Sequence, residues 1–210
     1  MFDISTLATF VAVVLGLFLI PGPAVLLVLT RTVQGGRKVG IYTGLGVAAG
    51  DFLHTLCAAV GLSALLMTSA LAFNVVKWVG AAYLLYLGLR ALCAKPAGAS
   101  AGQPTAAPIS ARQAFWQAIP AELLNPKTAL FFLAFLPQFV QPEQGSSFLQ
   151  FALLGLIFVA LSALYTTLLV LAIRPLGRLV KRLAWLTRWQ HKIIGVLFIS
   201  LGLRVAMQAR

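Results

Sequence analysis

Long apolar runs constrain this chain more than any other feature. A hydrocarbon core about 30 Å thick needs about 20 apolar residues per helix. Runs of that kind cover residues 7–29, 39–67, 75–93, 114–135, 148–173 and 193–207. Six helices use about 120 residues, so a chain of 210 keeps no sizeable soluble domain. The expected fold class is therefore an all-α integral membrane protein with six transmembrane helices. Charged residues make up only 10% of the chain, against about 25% in an average soluble domain. This excludes a disordered chain, a nucleic-acid-binding domain and an ordinary soluble enzyme. The first run lacks a basic leader and is too long for a signal-peptide core, so it reads as a retained helix.

The net charge of +12 has an address. Counted loop by loop, with Arg90 at the end of the third run taken with the loop that follows it, Lys and Arg number 3, 0, 3, 0 and 6. The first loop holds Arg31, Arg37 and Lys38, and the third holds Arg90, Lys95 and Arg112. The fifth holds Arg174, Arg178, Lys181, Arg182, Arg188 and Lys192. The positive-inside rule places these three loops in the cytoplasm and both termini outside. Residues 94–111 are small, Pro-rich and nearly uncharged, the composition of a flexible linker. Residues 174–189 place basic and leucine-rich sides opposite each other, which fits a helix lying on the lipid of the inner leaflet; an ordinary basic loop satisfies the same rule. No nucleic-acid partner is required.

A short repeat relates the two halves. The third run opens KWVGAAYLLYLGLRA at Lys77, and the sixth opens KIIGVLFISLGLRVA at Lys192. Each half also begins with a proline-broken run, Pro21-Gly22-Pro23 in the first and Asn125-Pro126 in the second, with Pro120 a further interruption. Three spans per half make the halves antiparallel, the inverted repeat of many secondary transporters, whose paired broken helices mark the binding site. The expected organisation is a first three-helix repeat over 1–93, the linker over 94–111, and a second repeat over 112–210.

Few residues can carry chemistry in such a chain. Proline removes a helical hydrogen bond, and in a bilayer the freed carbonyl must find a partner. Asp51 lies deep in the second run, where an unpaired carboxylate costs several kcal/mol. His54 follows at i+3 and can share its face. Lys127 beside the second break can hold a solute carboxylate or pair with Asp51. Lys77 reads as an anchor that snorkels to the interface. Gly40, Gly44, Gly46 and Gly50 have the spacing of close helix packing. Tyr165, Thr166 and Thr167 offer hydroxyls, whose commoner fate is bonding back to the helix. Cys57 and Cys93 form neither a metal spacing nor a disulfide framework, and no cofactor or metal site is expected.

The segments PGPAVLLVLTRTVQGGRKVGIYTGLGVAAGD and LLNPKTALFFLAFLPQF together resemble the LysE/RhtB family of bacterial amino-acid exporters. The resemblance spans essentially the whole chain. It implies efflux of amino acids or their derivatives across the bacterial inner membrane, by proton-coupled antiport. It carries roles onto Pro21, Gly22, Pro23, Gly44, Asp51, Asn125, Pro126 and Lys127. It carries none onto Pro120 or Glu122, and it names no substrate. In the mechanism it suggests, Asp51 holds the solute ammonium or exchanges it for a proton. The helix breaks, with Lys127, hold the carboxylate. Rival readings are an exporter of metal or inorganic cations, which would want more carboxylates or thiols, and a membrane-embedded enzyme, for which Asp51 and His54 are the only visible acid–base pair. A passive channel would show flux without proton dependence. A homodimer is compatible with such a chain, although no residue pattern specifies one.

The charge pattern makes one direct prediction. A cysteine placed at Gly102 reacts with reagents that reach the cytoplasmic side, and labelling from outside the cell would overturn the orientation.

Overall fold

In the computed structural model, residues 2–19, 22–68 and 109–182 are described, with scattered positions of 75–93 and 192–203. The expected third and sixth spans with their repeat motifs, most of the linker, Pro21, Lys77 and the side chains of 174–189 lie outside the described residues. Every regular element among the described residues is helical.

Helix α1 spans Ile4–Leu19 and α2 spans Pro23–Cys57. A π-helical stretch, Ala58–Leu62, leads into α3, Ser63–Thr68. Helix α4 covers Ala111–Leu123 and α5 covers Pro126–Leu130. The path of α5 continues through a π-helical stretch, Phe131–Phe135, and a 3-10 turn, Leu136–Phe139. After a second 3-10 turn, Pro142–Gln144, α6 runs over Ser147–Arg182. Local chemistry sets several of these ends. Asp3 accepts a 2.7 Å hydrogen bond from Thr6 N at the start of α1. Hydrogen bonds from Thr6 hold its carboxyl below the usual range. Ser110 and Gln113 form a reciprocal capping box on α4. Pro23 and Pro126 each open a helix, where a missing N–H costs nothing.

The expected first and second spans are joined more tightly than their apolar runs suggest. Helix α2 carries one non-helical residue, Gly36, at φ +79°, a conformation glycine adopts without penalty. The chain folds back there. A Cβ placed on Gly40 would collide with Thr32, eight residues earlier, whereas a straight helix would hold those positions about 12 Å apart. The loop holding Arg31, Arg37 and Lys38 is thus almost entirely helical. The fourth span differs as well. Pro120 lies inside α4 without ending it, and the break falls at Leu124 and Asn125. A 47° bend separates Ala111–Leu123 from Pro126–Phe139.

Glycines set how closely these helices approach. Gly46 and Gly50 face α4, with a Cβ at Gly46 falling 2.8 Å from that of Ala118 and one at Gly50 2.7 Å from that of Glu122. Both partner positions rise together along the chain, so residues 37–57 and α4 run parallel. Gly40 and Gly44 instead meet Val170 and Thr166 of α6, and Gly155 of α6 meets Thr55. That order is antiparallel. Two apolar clusters fill the remaining space. The larger joins Phe10, Val14, Phe131, Phe135, Phe151 and Phe158, among others. The smaller joins Val28, Val47, Ala118 and Val170.

The outer surface is apolar too. On α6, Leu149, Leu153, Leu156, Leu164, Leu168 and Leu171 are all exposed at helical spacing. Residues Ser147–Ala172 number 26, about 39 Å of helix, more than the hydrocarbon core requires. An exposed leucine stripe of that length suits lipid and would be a liability in water. The chain is an all-α membrane protein.

The packing gives a paired prediction. Gly46→Ala pushes a methyl against the α4 backbone and lowers the thermal unfolding temperature in detergent, at a cost of about 1–3 kcal/mol. Gly16→Ala meets nothing within 4 Å and leaves that temperature unchanged or raises it by helix propensity. Equal effects would contradict this packing.

Candidate functional site

The site begins with the carbonyls that proline strips of their partners. In an α-helix N–H(i) donates to O(i−4). Pro21 therefore offers Leu17 no donor, and Pro126 offers Glu122 none. Both carbonyls are nevertheless engaged, each by a side chain from across the molecule. Lys127 Nζ donates to Leu17 O at 2.7 Å. His54 Nε2 donates to Glu122 O at 3.3 Å, which Asn125 N also reaches at 3.0 Å. A carbonyl can only accept, so His54 carries its proton on Nε2 in this contact.

Around the second break, the side chains form a connected polar cluster. Glu122 is 2% exposed and Asn125 is 3% exposed. Asn125 Nδ2 donates to both Glu122 carboxylate oxygens, at 3.1 and 3.2 Å. Thr128 Oγ1 donates a short hydrogen bond to Glu122 Oε1. Asn125 Oδ1 accepts from Lys127 N at 3.1 Å and so caps α5. The spacing of 122, 125 and 128 brings the three side chains onto one side of the bend.

Asp51 meets this cluster from α2. It is 1% exposed, and its Oδ2 accepts from Ser162 Oγ of α6 at 2.6 Å. Its Oδ1 is buried without a hydrogen-bond partner. The Asp51 and Glu122 carboxyls interact with each other, and the Lys127 ammonium stands in the field of both. The Lys127 stem crosses Gly22 so closely that a Cβ there would lie 3.1 Å from Lys127 Cδ. Glycine at this position allows the two breaks to meet.

A cavity of about 30 Å³ lies among Asp51, Glu122, Lys127, Gly22, Ala24 and Ser162. It has room for one or two waters. Phe18 stacks on Tyr165 at 5.4 Å and meets Phe158 edge-on at 5.1 Å on its apolar wall. The start of α2 beside it carries no side-chain cap, which leaves its first N–H groups as a potential anion seat.

The structure thus brings Asp51, Asn125, Lys127 and Gly22 together around one small cavity, whereas Pro126 is exposed and does not line it. His54 stands apart from Asp51 despite the i+3 spacing. It stacks on Phe132, with 5.6 Å between ring centroids, and lines a second, mainly apolar cavity of about 280 Å³ with Cys57 and Gly61. Thr166 bonds back to Ser162 O at 2.8 Å. Cys57 and Cys93 are free and exposed. Among the described residues, no group of three His, Cys, Asp or Glu side chains could hold a metal.

The resemblance carried no role onto Glu122, one position before the motif that begins at Leu123, although its spacing to Asn125 and Thr128 was a usable signal, and the sequence reading missed Ser162. Ser162 is one of several hydroxyls in an apolar helix, and only the antiparallel register of α2 and α6 reveals its partner.

Comparison with known proteins agrees with this architecture. The family model for the LysE type translocator matches residues 15–209. An uncharacterized membrane protein of Pseudomonas aeruginosa is 34% identical over 201 residues, covering 94% of this chain and 93% of that protein. A leucine efflux protein of Klebsiella pneumoniae is 30% identical over 205 residues, covering 98% and 96%. A leucine efflux protein of Salmonella choleraesuis is 32% identical over 189 residues, covering 90% and 88%. No solved structure matches the chain. This chain belongs to the LysE type translocator family, whose members are transporters and not enzymes.

Proposed function

We propose that this chain exports amino acids with aliphatic side chains across the bacterial inner membrane, in antiport with protons. The observation that carries the reading is Asp51, buried at the meeting of two helix breaks with one carboxylate oxygen unpartnered. The relatives named for leucine efflux favour an aliphatic solute.

Charge counting supports the exchange. With Asp51, Glu122 and Lys127 all ionised, the buried cluster has one negative charge in excess. A buried net charge is costly, and either a proton or a solute ammonium removes it. Glu122 already accepts hydrogen bonds from Asn125 and Thr128. Asp51 Oδ1 accepts none, so it is the open seat for which the two cations compete. The uncapped first turn of α2 would take the solute carboxylate. A solute of leucine size exceeds the 30 Å³ cavity, so loading requires the two breaks to separate.

The rest of the mechanism follows from the fold. The halves 1–93 and 112–210 would form a three-plus-three inverted repeat and rock about the fixed site. Both termini would face the periplasm, with the basic segment 174–189 on the inner leaflet.

The test is uptake of an amino-acid panel into inverted membrane vesicles, with the lumen acidic or at equal pH. Aliphatic amino acids should accumulate, and the acid lumen should raise their uptake about tenfold, since each pH unit is a tenfold ratio of protons. Absence of amino-acid uptake at normal protein levels would refute the export reading. Uptake indifferent to the gradient would refute proton antiport.

A further inference from the structure

We propose that Lys127 is a tethered cation that stands in for the solute ammonium while the carrier is empty, latching the two helix breaks together. This rests on the export reading above and assigns Lys127 a task other than holding the solute carboxylate.

The argument starts from Leu17. Pro21 strips its carbonyl of the helical donor, at the negative end of the α1 dipole. Such a carbonyl is a natural seat for an ammonium group. That seat is filled from within, by Lys127 Nζ at 2.7 Å. The contact links residues 110 apart in sequence and ties the first break to the second. The stem passes over Gly22, across the approach to the first turn of α2. Lys127 therefore holds a cation position and narrows the cavity in one act. A solute that brings its own ammonium to Asp51 cancels the carboxylate field in which the Lys127 ammonium stands and frees the breaks to part. When the solute leaves, Lys127 returns to Leu17 O and satisfies the buried carbonyl during the return step.

His54 forms the counterpart contact. It donates to Glu122 O, the carbonyl stripped by Pro126. Seated toward the second cavity, it supports the second break from outside the small cavity.

The latch has a kinetic signature that a purely structural lysine lacks. Net efflux must return an empty carrier, whereas exchange of solute for solute never does. Lys127→Met reconstituted in vesicles should lower the ratio of net efflux to exchange about tenfold, the worth of one charge-assisted hydrogen bond. Lys127→Arg, which keeps a cation of similar reach, should restore most of that ratio. Loss of both activities in equal proportion, or no change in the ratio, would overturn the proposal. A second arm needs no substrate. A cysteine at Ala24, which lines the small cavity, should react about tenfold faster with a water-soluble thiol reagent when Lys127 is Met. Unchanged reactivity would overturn the latch. If the wild-type protein moved no amino acid, the export reading would fail, and this second arm alone would decide the latch.

Discussion

Everything at the centre of this protein follows from backbone carbonyls that proline leaves without donors inside a membrane. Water cannot supply the missing hydrogen bonds there, and an unsatisfied carbonyl costs several kcal/mol. Leu17 O and Glu122 O are both answered from across the fold, by Lys127 and His54. Each answer ties a broken helix to a residue of the other half of the sequence. The breaks are therefore the points at which the halves are fastened, and also the points that must change if the halves move.

Glycine makes that fastening possible. The Gly46 and Gly50 positions let α2 press against the backbone of α4, and Gly44 lets it press against Thr166 of α6. Close approach brings Asp51 within reach of Ser162 and Glu122. Gly22 gives Lys127 its path. Small residues and charged residues thus work together: the former set the distance between helices, and the latter meet one another at that distance.

The sequence made the membrane fold legible because apolar run length responds directly to bilayer thickness. Proline positions located the helix starts at Pro23 and Pro126, since the chemistry of a missing N–H is local. Helix periodicity alone could not tell that His54 turns away from Asp51, because i+3 spacing permits a shared face without requiring one. The tertiary crossing of α2, α4 and α6 decides it. The same crossing supplies Glu122 and Ser162 as neighbours of Asp51, over sequence separations that no local pattern encodes. Pro120 was legible as a proline and misleading as a break, since the helix runs through it and ends only at Leu123.

Asp51 carries the central claim, that one open carboxylate alternates between a proton and a solute ammonium. The most direct measurement is proton movement during solute flux, followed with a pH-sensitive dye in vesicles containing wild-type protein or Asp51→Asn. The account predicts opposed proton movement with every solute transported by the wild type. It predicts loss of that coupling in Asp51→Asn at normal protein levels. Coupled proton movement that survives in Asp51→Asn would contradict it.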